Sequence, residues 1–148
     1  MFPTMLVTRR NWICWKYEWK NGRKTKIPYN PLTGRKAKST DPNTWVTYRT
    51  AREAIGYDGI GYVFNGDGIF GIDIDHCIDE NTNMLKQEVQ NIIEIMNSYT
   101  EKSPSGKGIH IIGYYNGKDM SSQRKNDIEI YFTGRYFTMS GRPLKNCE

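Results

Sequence analysis

The chain has 148 residues and a formal net charge of +5, with hydrophobic residues at 37% and aromatic residues at 13% of the sequence. This length predicts one domain, spanning 1–148, and this composition excludes a disordered segment because it supplies enough apolar side chains for a core. No apolar run reaches the roughly 20 residues of a membrane helix or precedes a secretory cleavage site, and the positive charge fits a polyanionic partner.

The N-terminal part is predicted to form a β-hairpin with a basic surface. Residues 11–19 and 25–29 have the composition of strands, and Asn21-Gly22 between them is a turn signal. The segment from residue 9 to residue 38 contains ten basic residues and only one acidic residue, Glu18. Large rings usually fill cores, so we predict that the interspersed aromatic side chains are buried and that the lysines lie near nucleic acid. These aromatic residues are Trp12, Trp15, Tyr17, Trp19 and Tyr29.

The rest of the chain mixes strands and helices. Proline and glycine predict a loop over 28–43. Asp41 or Asn43 is predicted to cap a helix over 44–55, in which Trp45, Tyr48, Ala51 and Ile55 recur at helical spacing. A second helix is predicted over 83–98 from its apolar spacing. Strands are predicted over 60–64, 69–74, 109–115, 127–132 and 136–140. The first two of these strands are joined by a turn over 65–68.

Two acids alternate with isoleucines in the segment GIDIDH at 71–76. Residues i and i+2 of a strand face the same way, so Asp73 and Asp75 present their carboxylates together while Ile72 and Ile74 point into the core. Adjacent carboxylates repel each other, and a hard divalent cation such as Mg²⁺ or Mn²⁺ removes that repulsion. An exposed strand end with two solvated acids is the alternative, but the apolar flanks favour a metal site.

A second segment, SPSGKGIH at 103–110, combines small residues, two glycines and a lysine. Its backbone N–H groups can approach an anion closely, Ser105 adds a hydroxyl donor and Lys107 adds a charge. His110 starts the next strand and faces opposite to the isoleucines beside it. Taken alone, an ordinary glycine turn with a half-buried histidine explains these residues better.

A third segment, DIEIY at 127–131, repeats the alternation of acids and apolar residues. Glu129 would supply a third carboxylate from a neighbouring strand, and Asp127, which shares its phase, is the competing ligand. Arg135, a little further on, suits a phosphate or the face of a base. A surface acid and a salt-bridged arginine are the alternatives.

In this order and spacing, GIDIDHC, SPSGKGIHI and DIEIY with GRYFTMSG resemble the archaeo-eukaryotic primase superfamily. In particular, the sequence resembles the primase–polymerase domains of phage and plasmid replication proteins. The segments KIPYNP at 26–31 and STDP at 39–42 are also similar to the upstream part of that domain, so the resemblance extends from about Trp12 to Gly141. The resemblance implies an α+β fold: an RRM-like antiparallel or mixed sheet with helices, packed on an N-terminal α/β module. It implies that the active site lies in the cleft between them.

The resemblance also implies a template-dependent nucleotidyltransferase, a DNA primase or polymerase that uses two Mg²⁺ or Mn²⁺ ions. The implied metal ligands are Asp73, Asp75 and Glu129. The implied nucleotide ligands are Ser105, Gly106, Lys107, His110 and Arg135. Among these, His110 is assigned to phosphate binding rather than proton abstraction, because a metal ion can activate the attacking hydroxyl.

The expected partners are single-stranded or primed DNA, a dNTP or NTP, and a C-terminal helical or helicase region or a separate helicase. We expect a cytoplasmic catalytic core without membrane association, one that initiates poorly without a primer. Three widely spaced cysteines, Cys14, Cys77 and Cys147, predict neither a disulfide framework nor the zinc element of many relatives. A metal-dependent nuclease and a non-catalytic RRM-like binding module stay open, although acids on the sheet face argue against the second.

Overall fold

A computed structural model describes residues 2–116, 121 and 123–145, which form an α+β fold on two β-sheets. The strands are β1 (Trp12–Lys20), β2 (Arg23–Asn30), β3 (Arg35–Lys36), β4 (Gly59–Asn65), β5 (Ile69–Ile74), β6 (Thr100–Lys102), β7 (Ile109–Tyr114), β8 (Gln123–Lys125), β9 (Ile128–Tyr131), β10 (Thr133–Met139) and β11 (Pro143–Lys145). The helices are α1 (Thr4–Val7), α2 (Tyr48–Glu53) and α3 (Gln87–Met96). None of the described helices combines the length and apolar character needed to cross a membrane.

The strands form a first sheet in the order β10-β4-β1-β2-β3 and a second sheet in the order β11-β6-β7-β5-β9-β8. Every pairing between these described strands is antiparallel, so the sheets are not mixed. The N-terminal part is mainly the first sheet, with the short helices α1 and α2 beside it, rather than a balanced α/β module.

The chain passes between the two sheets at several points. The turn predicted over 65–68 is present, but it joins β4 of the first sheet to β5 of the second instead of closing a hairpin. Phe132 connects β9 back to β10, and its carbonyl accepts the N–H of Gly66 at 3.0 Å. The two crossings are therefore hydrogen-bonded to each other, and neither sheet is contiguous in sequence.

One apolar core lies between the sheets. Phe64 and Phe137 from the first sheet pack with Ile69 and Ile112 from the second, and all four side chains are buried. A Cβ atom at Gly71 of β5 would lie 2.4 Å from the rings of Phe64 and Phe137. Glycine at this position therefore allows the two sheets to approach closely beside Asp73.

The opposite face of the second sheet packs against α3. Ile72 and Ile74 point to this side and join Val89 in a separate apolar cluster, as the strand alternation predicts. The helix is shorter than the predicted 83–98 at both ends. Leu85 forms a β-bridge with Ile78 before the helix begins, and Asn97, with a φ of 45°, adopts the left-handed conformation and ends it. Asp73, which alternates with these isoleucines, therefore faces the first sheet, whereas Asp75 lies beyond the end of β5 and is exposed.

The prediction of one helix over 44–55 is wrong, because the helix there covers only Tyr48–Glu53. Asp41 caps a short 3₁₀ turn, Pro42–Thr44, and Thr47 caps α2 only after an extended stretch. In that stretch Val46 exchanges two backbone hydrogen bonds with Trp12, at 2.7 and 3.0 Å. Ile55, which the helical spacing would bury, is 94% exposed. Pairing to β1 thus replaces the first turns of the predicted helix.

The aromatic side chains of β1 are not all in the core. Trp12 and Trp15 are buried as predicted, but Tyr17 is 38% and Trp19 76% exposed. The strand β4 pairs with β1 only from Trp12 to Trp15. Beyond that point, and among the described strands, β1 pairs with β2 alone, so residues 16–27 form a two-stranded extension that we name the β1–β2 arm.

Candidate functional site

Four polar side chains stand opposite one another across the second sheet. The register pairs Asp73 of β5 with His110 of β7 on one side and with Glu129 of β9 on the other. His110 is paired in turn with Glu101 of β6. Directly opposite residues share a sheet face, so these four side chains form one row. Three of its members are residues that the sequence singled out.

His110 occupies the centre of this row and is 4% exposed. Its ring stacks on Phe137 of the first sheet, with ring centres 4.4 Å apart and planes at 14°. Its Nδ1 lies 3.2 Å from Oε2 of Glu101, and its Nε2 lies 3.5 Å from Oδ1 of Asp73. The imidazole is therefore held between two acids and a ring, with little freedom to turn.

Glu101 is completely buried, and its two carboxylate oxygens are surrounded by donors. The hydroxyl of Tyr99 donates to it at 2.9 Å, and the backbone N–H groups of Ser140 and Gly141 donate at 2.8 and 3.2 Å. Burial raises the pKa of Tyr99, so that hydroxyl stays protonated and able to donate. Glu101 engages Nδ1 of His110, so Nε2 is the ring nitrogen that is directed towards Asp73.

Asp73 has an unsatisfied oxygen. Its Oδ1 is buried and, within the described part of the chain, has no hydrogen-bond partner, although Nε2 of His110 lies 3.5 Å away. Burial raises the pKa of Asp73 to about 6; Asp75 and Glu129 act in the same direction, whereas His110 and Lys26 lower it. A buried carboxylate oxygen that lacks a donor is suited to a cation.

Glu129 faces Asp73 from β9, with its side chain 20% exposed. It accepts a hydrogen bond from the hydroxyl of Tyr131, and Nε of Arg124 lies 3.4 Å from its Oε1. The hydrogen bond follows from the phase of β9, since Tyr131 is two residues from Glu129 on the same face. Glu129 is thus available beside Asp73 but already has two partners.

Asp75 and Asp127 lie outside the row, at the ends of their strands. Asp75 follows β5, is exposed, and donates its backbone N–H to the carbonyl of Asp127 at 2.9 Å. The Asp127 carboxylate lies 3.3 Å from Nδ1 of His76. Among residues 2–116, 121 and 123–145, no group of three acids, histidines or cysteines is arranged to hold a metal ion. The described part of the chain therefore presents neighbouring carboxylates, but these are not arranged as a complete metal site.

A cavity of about 370 Å³ adjoins the row and is lined by residues of both sheets. Its wall consists of Lys26, Ser39, Asp73, His110, Tyr131, Arg135, Tyr136, Phe137 and Thr138. The ammonium of Lys26 lies 3.4 Å from Oγ1 of Thr138. Burial lowers the pKa of Lys26, while Asp73 and Asp75 raise it. Two cations, Lys26 and Arg135, thus share this wall with one half-buried acid.

The glycine-rich segment is a turn beside the cavity rather than part of its wall. Ser105 and Lys107 are exposed, and Gly106 between them has a φ of +77°. The Ser105 hydroxyl lies 3.0 Å from that of Ser103 and accepts the backbone N–H of Lys107 at 3.3 Å. The Lys107 ammonium lies 3.4 Å from Oε1 of Glu80. Only His110 of this motif reaches the cavity.

Gly108 attaches this turn to the end of β5. A Cβ atom at Gly108 would lie 2.5 Å from the carbonyl oxygen of Ile74 and 3.2 Å from Cα of Asp75. The carbonyl of Lys107 accepts the N–H of Cys77 at 3.2 Å. The turn and Asp75 are therefore immediate neighbours, which is the juxtaposition that the two sequence motifs suggest.

Sequence reasoning missed Glu101, Lys26 and Tyr131. The phase of Tyr131, two residues from Glu129, was an available signal. Lys26 belongs to the basic stretch and to the KIPYNP segment of the family resemblance, but neither assigned it to the site, because its position beside Asp73 depends on the packing of two sheets. Glu101 lies in a strand of three residues, which is too short for an alternation to be visible.

Two of the cysteines are buried and free. Burial raises the pKa of both Cys14 and Cys77 to about 11, so neither thiol readily becomes a thiolate ligand. Cys147, the third, lies outside the described residues.

The sequence is similar to a DNA primase-polymerase of Nitratiruptor phage NrS-1. The two are 38% identical over 139 residues, which cover 88% of this chain and 19% of the phage protein. The chain thus spans about a fifth of the length of this relative. No protein-family model matches the sequence.

Proposed function

This chain belongs to the primase–polymerase family, and we propose that residues 1–148 are a catalytic domain for template-dependent nucleotidyl transfer. The observation that supports the proposal best concerns Asp73, which lies opposite Glu129 at a cavity that also presents Lys26 and Arg135. One of its oxygens is buried and has no hydrogen-bond partner among the described residues. We take this cavity to be the active-site cleft of the RRM-like arrangement that the family resemblance implies.

In this proposal Asp73, Asp75 and Glu129 hold two divalent cations, Mg²⁺ or Mn²⁺. Such ions, when bound, lower the pKa of an attacking hydroxyl and stabilise a departing pyrophosphate. The carboxylates of Asp73 and Glu129 are cross-strand partners, and Asp75 follows at the end of the same strand. The raised pKa of Asp73 agrees with a group that lacks its counter-charge in the free protein.

The basic wall of the cavity is proposed to hold the triphosphate of the incoming nucleotide. Lys26 and Arg135 supply positive charge, and Nε2 of His110 is directed to the cavity because Glu101 engages Nδ1. No side-chain base is needed in this scheme, so His110 orients a phosphate rather than removing a proton.

The glycine-rich turn, which lies beside the end of β5, is proposed to have a more peripheral role in nucleotide binding. Ser105, Gly106 and Lys107 are proposed to contact the outer phosphates beside Asp75, where Lys107 would exchange Glu80 for a phosphate oxygen. The positive φ of Gly106 shapes this turn, whose N–H groups at Gly106 and Lys107 already donate to Ser103 and Ser105. The Lys107 ammonium and the exposed turn itself would therefore supply the phosphate contacts.

Because the chain covers 19% of the phage relative, the activity of a whole protein is also a proposal. We propose single-stranded or primed DNA as template, a dNTP or NTP as substrate, and a helicase or helical region, within the same protein or separate, as partner. The buried free thiols of Cys14 and Cys77 are consistent with the cytoplasm as its location.

The test is incubation of the protein with a labelled primer on a longer template, in the presence of Mn²⁺, with and without nucleotides. Extension that requires nucleotides supports the proposal. Shortening of the primer without nucleotides would identify a metal-dependent nuclease instead. Binding of DNA without either reaction, and unchanged in Asp73→Asn, would identify a non-catalytic binding module.

A further inference from the structure

One face of the β1–β2 arm alternates aromatic and basic side chains. Trp15, Tyr17 and Trp19 are spaced by two along β1 and therefore share a face. Lys26 and Lys24 of β2 stand directly opposite Tyr17 and Trp19. We name these five residues the aromatic–lysine ladder.

Contacts between neighbours join four members of the ladder, and the strand register places Trp19 opposite the last of them, Lys24. The rings of Trp15 and Tyr17 meet edge to face, with centres 5.0 Å apart. The ammonium of Lys26 lies 5.3 Å from the ring centre of Trp15, and that of Lys24 lies 4.4 Å from the ring centre of Tyr17. The lysines therefore lie over rings, and this arrangement keeps positive charge beside aromatic faces.

Exposure rises steadily along the ladder, from 4% at Trp15 to 38% at Tyr17 and 76% at Trp19. The core accounts for Trp15, whose indole donates to the carbonyl of Ile60 at 3.0 Å. Packing within the chain does not account for Trp19, which leaves most of a large ring in water.

The arm is strongly basic. Residues 16–27 carry five basic side chains and one acid, Glu18. Glu18 accepts a hydrogen bond from the hydroxyl of Tyr29, which occupies one of its oxygens. Exposed rings among uncompensated cations fit a polyanion that carries its own aromatic groups.

The inner end of the ladder lies at the candidate active site. Lys26 lines the same cavity as Asp73 and His110. Trp15 and Tyr17 line a second cavity, of about 420 Å³, together with Pro104 of the glycine-rich segment. A strand bound along the ladder would therefore lead directly to the proposed catalytic residues.

We propose that the aromatic–lysine ladder binds the single-stranded DNA template as it enters the active site. Nucleobases of the DNA stack on Trp19 and Tyr17. The phosphates of its backbone lie along Lys24 and the other basic side chains of the arm. Stacking accepts any base, as a polymerase template requires, and the paired bases of a duplex offer no free faces. The assignment to a template rests on the proposed function, whereas the binding surface itself does not.

The test compares Trp19→Ala and Trp19→Phe with Tyr114→Ala. Tyr114 is a matched control because it is 64% exposed and lies at the end of β7 away from His110. Binding of a labelled oligothymidine, and of an abasic strand of equal length, is measured by fluorescence anisotropy at several salt concentrations. Circular dichroism verifies that each variant is folded.

We expect Trp19→Ala to weaken oligothymidine binding about tenfold at fixed salt, Trp19→Phe to retain most of the affinity, and Tyr114→Ala to match wild type. The abasic strand should bind weakly and be insensitive to Trp19→Ala. Lys24→Gln should reduce the slope of log affinity against log salt by about one. Equal binding of the two strands, or equal losses in Trp19→Ala and Tyr114→Ala, would overturn the proposal.

Primer extension by the wild-type protein separates this proposal from the proposed function. If wild type extends primers and Trp19→Ala binds oligothymidine normally, the ladder proposal fails and the catalytic one stands. If Trp19→Ala loses binding but wild type does not extend primers, the ladder is a single-strand surface and the catalytic proposal fails.

Discussion

Glu101 and His110 are joined by a contact of 3.2 Å between Oε2 and Nδ1, in a position where the glutamate has no exposure to solvent. A buried acid is tolerated only when donors surround it, and Tyr99 and Ser140 are among those that do so here. The pair determines which nitrogen of His110 faces the cavity. Glu101, which lies in a strand of three residues, thereby controls the orientation of His110, which belongs to a motif that the sequence singled out.

Glu101→Gln should impair the site through His110. The amide cannot accept as many hydrogen bonds, so we expect a loss of about 1–3 kcal/mol in the free energy of unfolding, measured in urea. We also expect about a tenfold loss in single-nucleotide incorporation under conditions where the variant is folded. Because Glu101 acts by positioning His110, Glu101→Gln should cause little further loss in a protein that already carries His110→Ala. Independent, additive losses would contradict this role.

Asp73 should make the metal-free protein less stable as the pH rises. Its pKa is about 6 in the folded chain against an ordinary value of 3.8, so the folded state binds the proton more tightly. The stability that this proton provides is complete below about pH 4 and is lost as the pH rises through about 6. With a chelator present, the free energy of unfolding of Asp73→Asn should therefore exceed that of wild type by on the order of 2 kcal/mol at about pH 7.5. Near pH 4 the two proteins should be equally stable.

Urea unfolding at the two pH values measures this difference. Asp67→Asn is a suitable control, since Asp67 is an acid in an ion pair with Arg9 away from the cavity. An Asp73→Asn protein that is less stable than wild type at the higher pH would show that the carboxylate is not destabilising in the free protein.

Glu129, rather than Asp127, should be the third metal ligand. Glu129→Gln should abolish primer extension and reduce the rise in melting temperature that Mn²⁺ produces, because Glu129 lies opposite Asp73. Asp127→Asn should retain both, since that carboxylate faces His76 at the end of the strand. An active Glu129→Gln and an inactive Asp127→Asn would reverse the assignment.

His110→Ala should weaken nucleotide binding much more than DNA binding. Losing one hydrogen bond to a charged group reduces affinity about ten- to hundred-fold. Titration of a fluorescent nucleotide and of labelled oligothymidine into the same protein gives both values. If nucleotide affinity in His110→Ala equals that of wild type, His110 does not hold a phosphate.

Local pattern in the sequence predicted the parts of the site that depend on strand phase. Asp73, Glu129 and the buried isoleucines beside them are correctly phased because alternation survives in any sheet. The pairing of Asp73 with both His110 and Glu129 could not be derived, since it depends on strands more than 35 residues apart in the chain. Lys26 enters the site only through sheet packing, which no local pattern encodes.

The difference between local pattern and long-range pairing also explains two errors in the fold predicted from the sequence. The spacing of Trp45 and Tyr48 fits a helix, but the pairing of Val46 with Trp12 overrides it. Trp19 was expected in the core because most large rings are buried, yet β4 ends its pairing with β1 at Trp15. In both cases a strand partner distant in sequence decided the outcome.

In the proposed function, a template directs nucleotide addition at the site of Asp73. The most direct measurement uses primer–template pairs that differ only in the first unpaired template base, with Mn²⁺ and one nucleotide at a time. We expect the wild-type protein to add only the complementary nucleotide to each primer and Asp73→Asn to add none. Addition that ignores the template base, or that persists in Asp73→Asn, would contradict the proposed function.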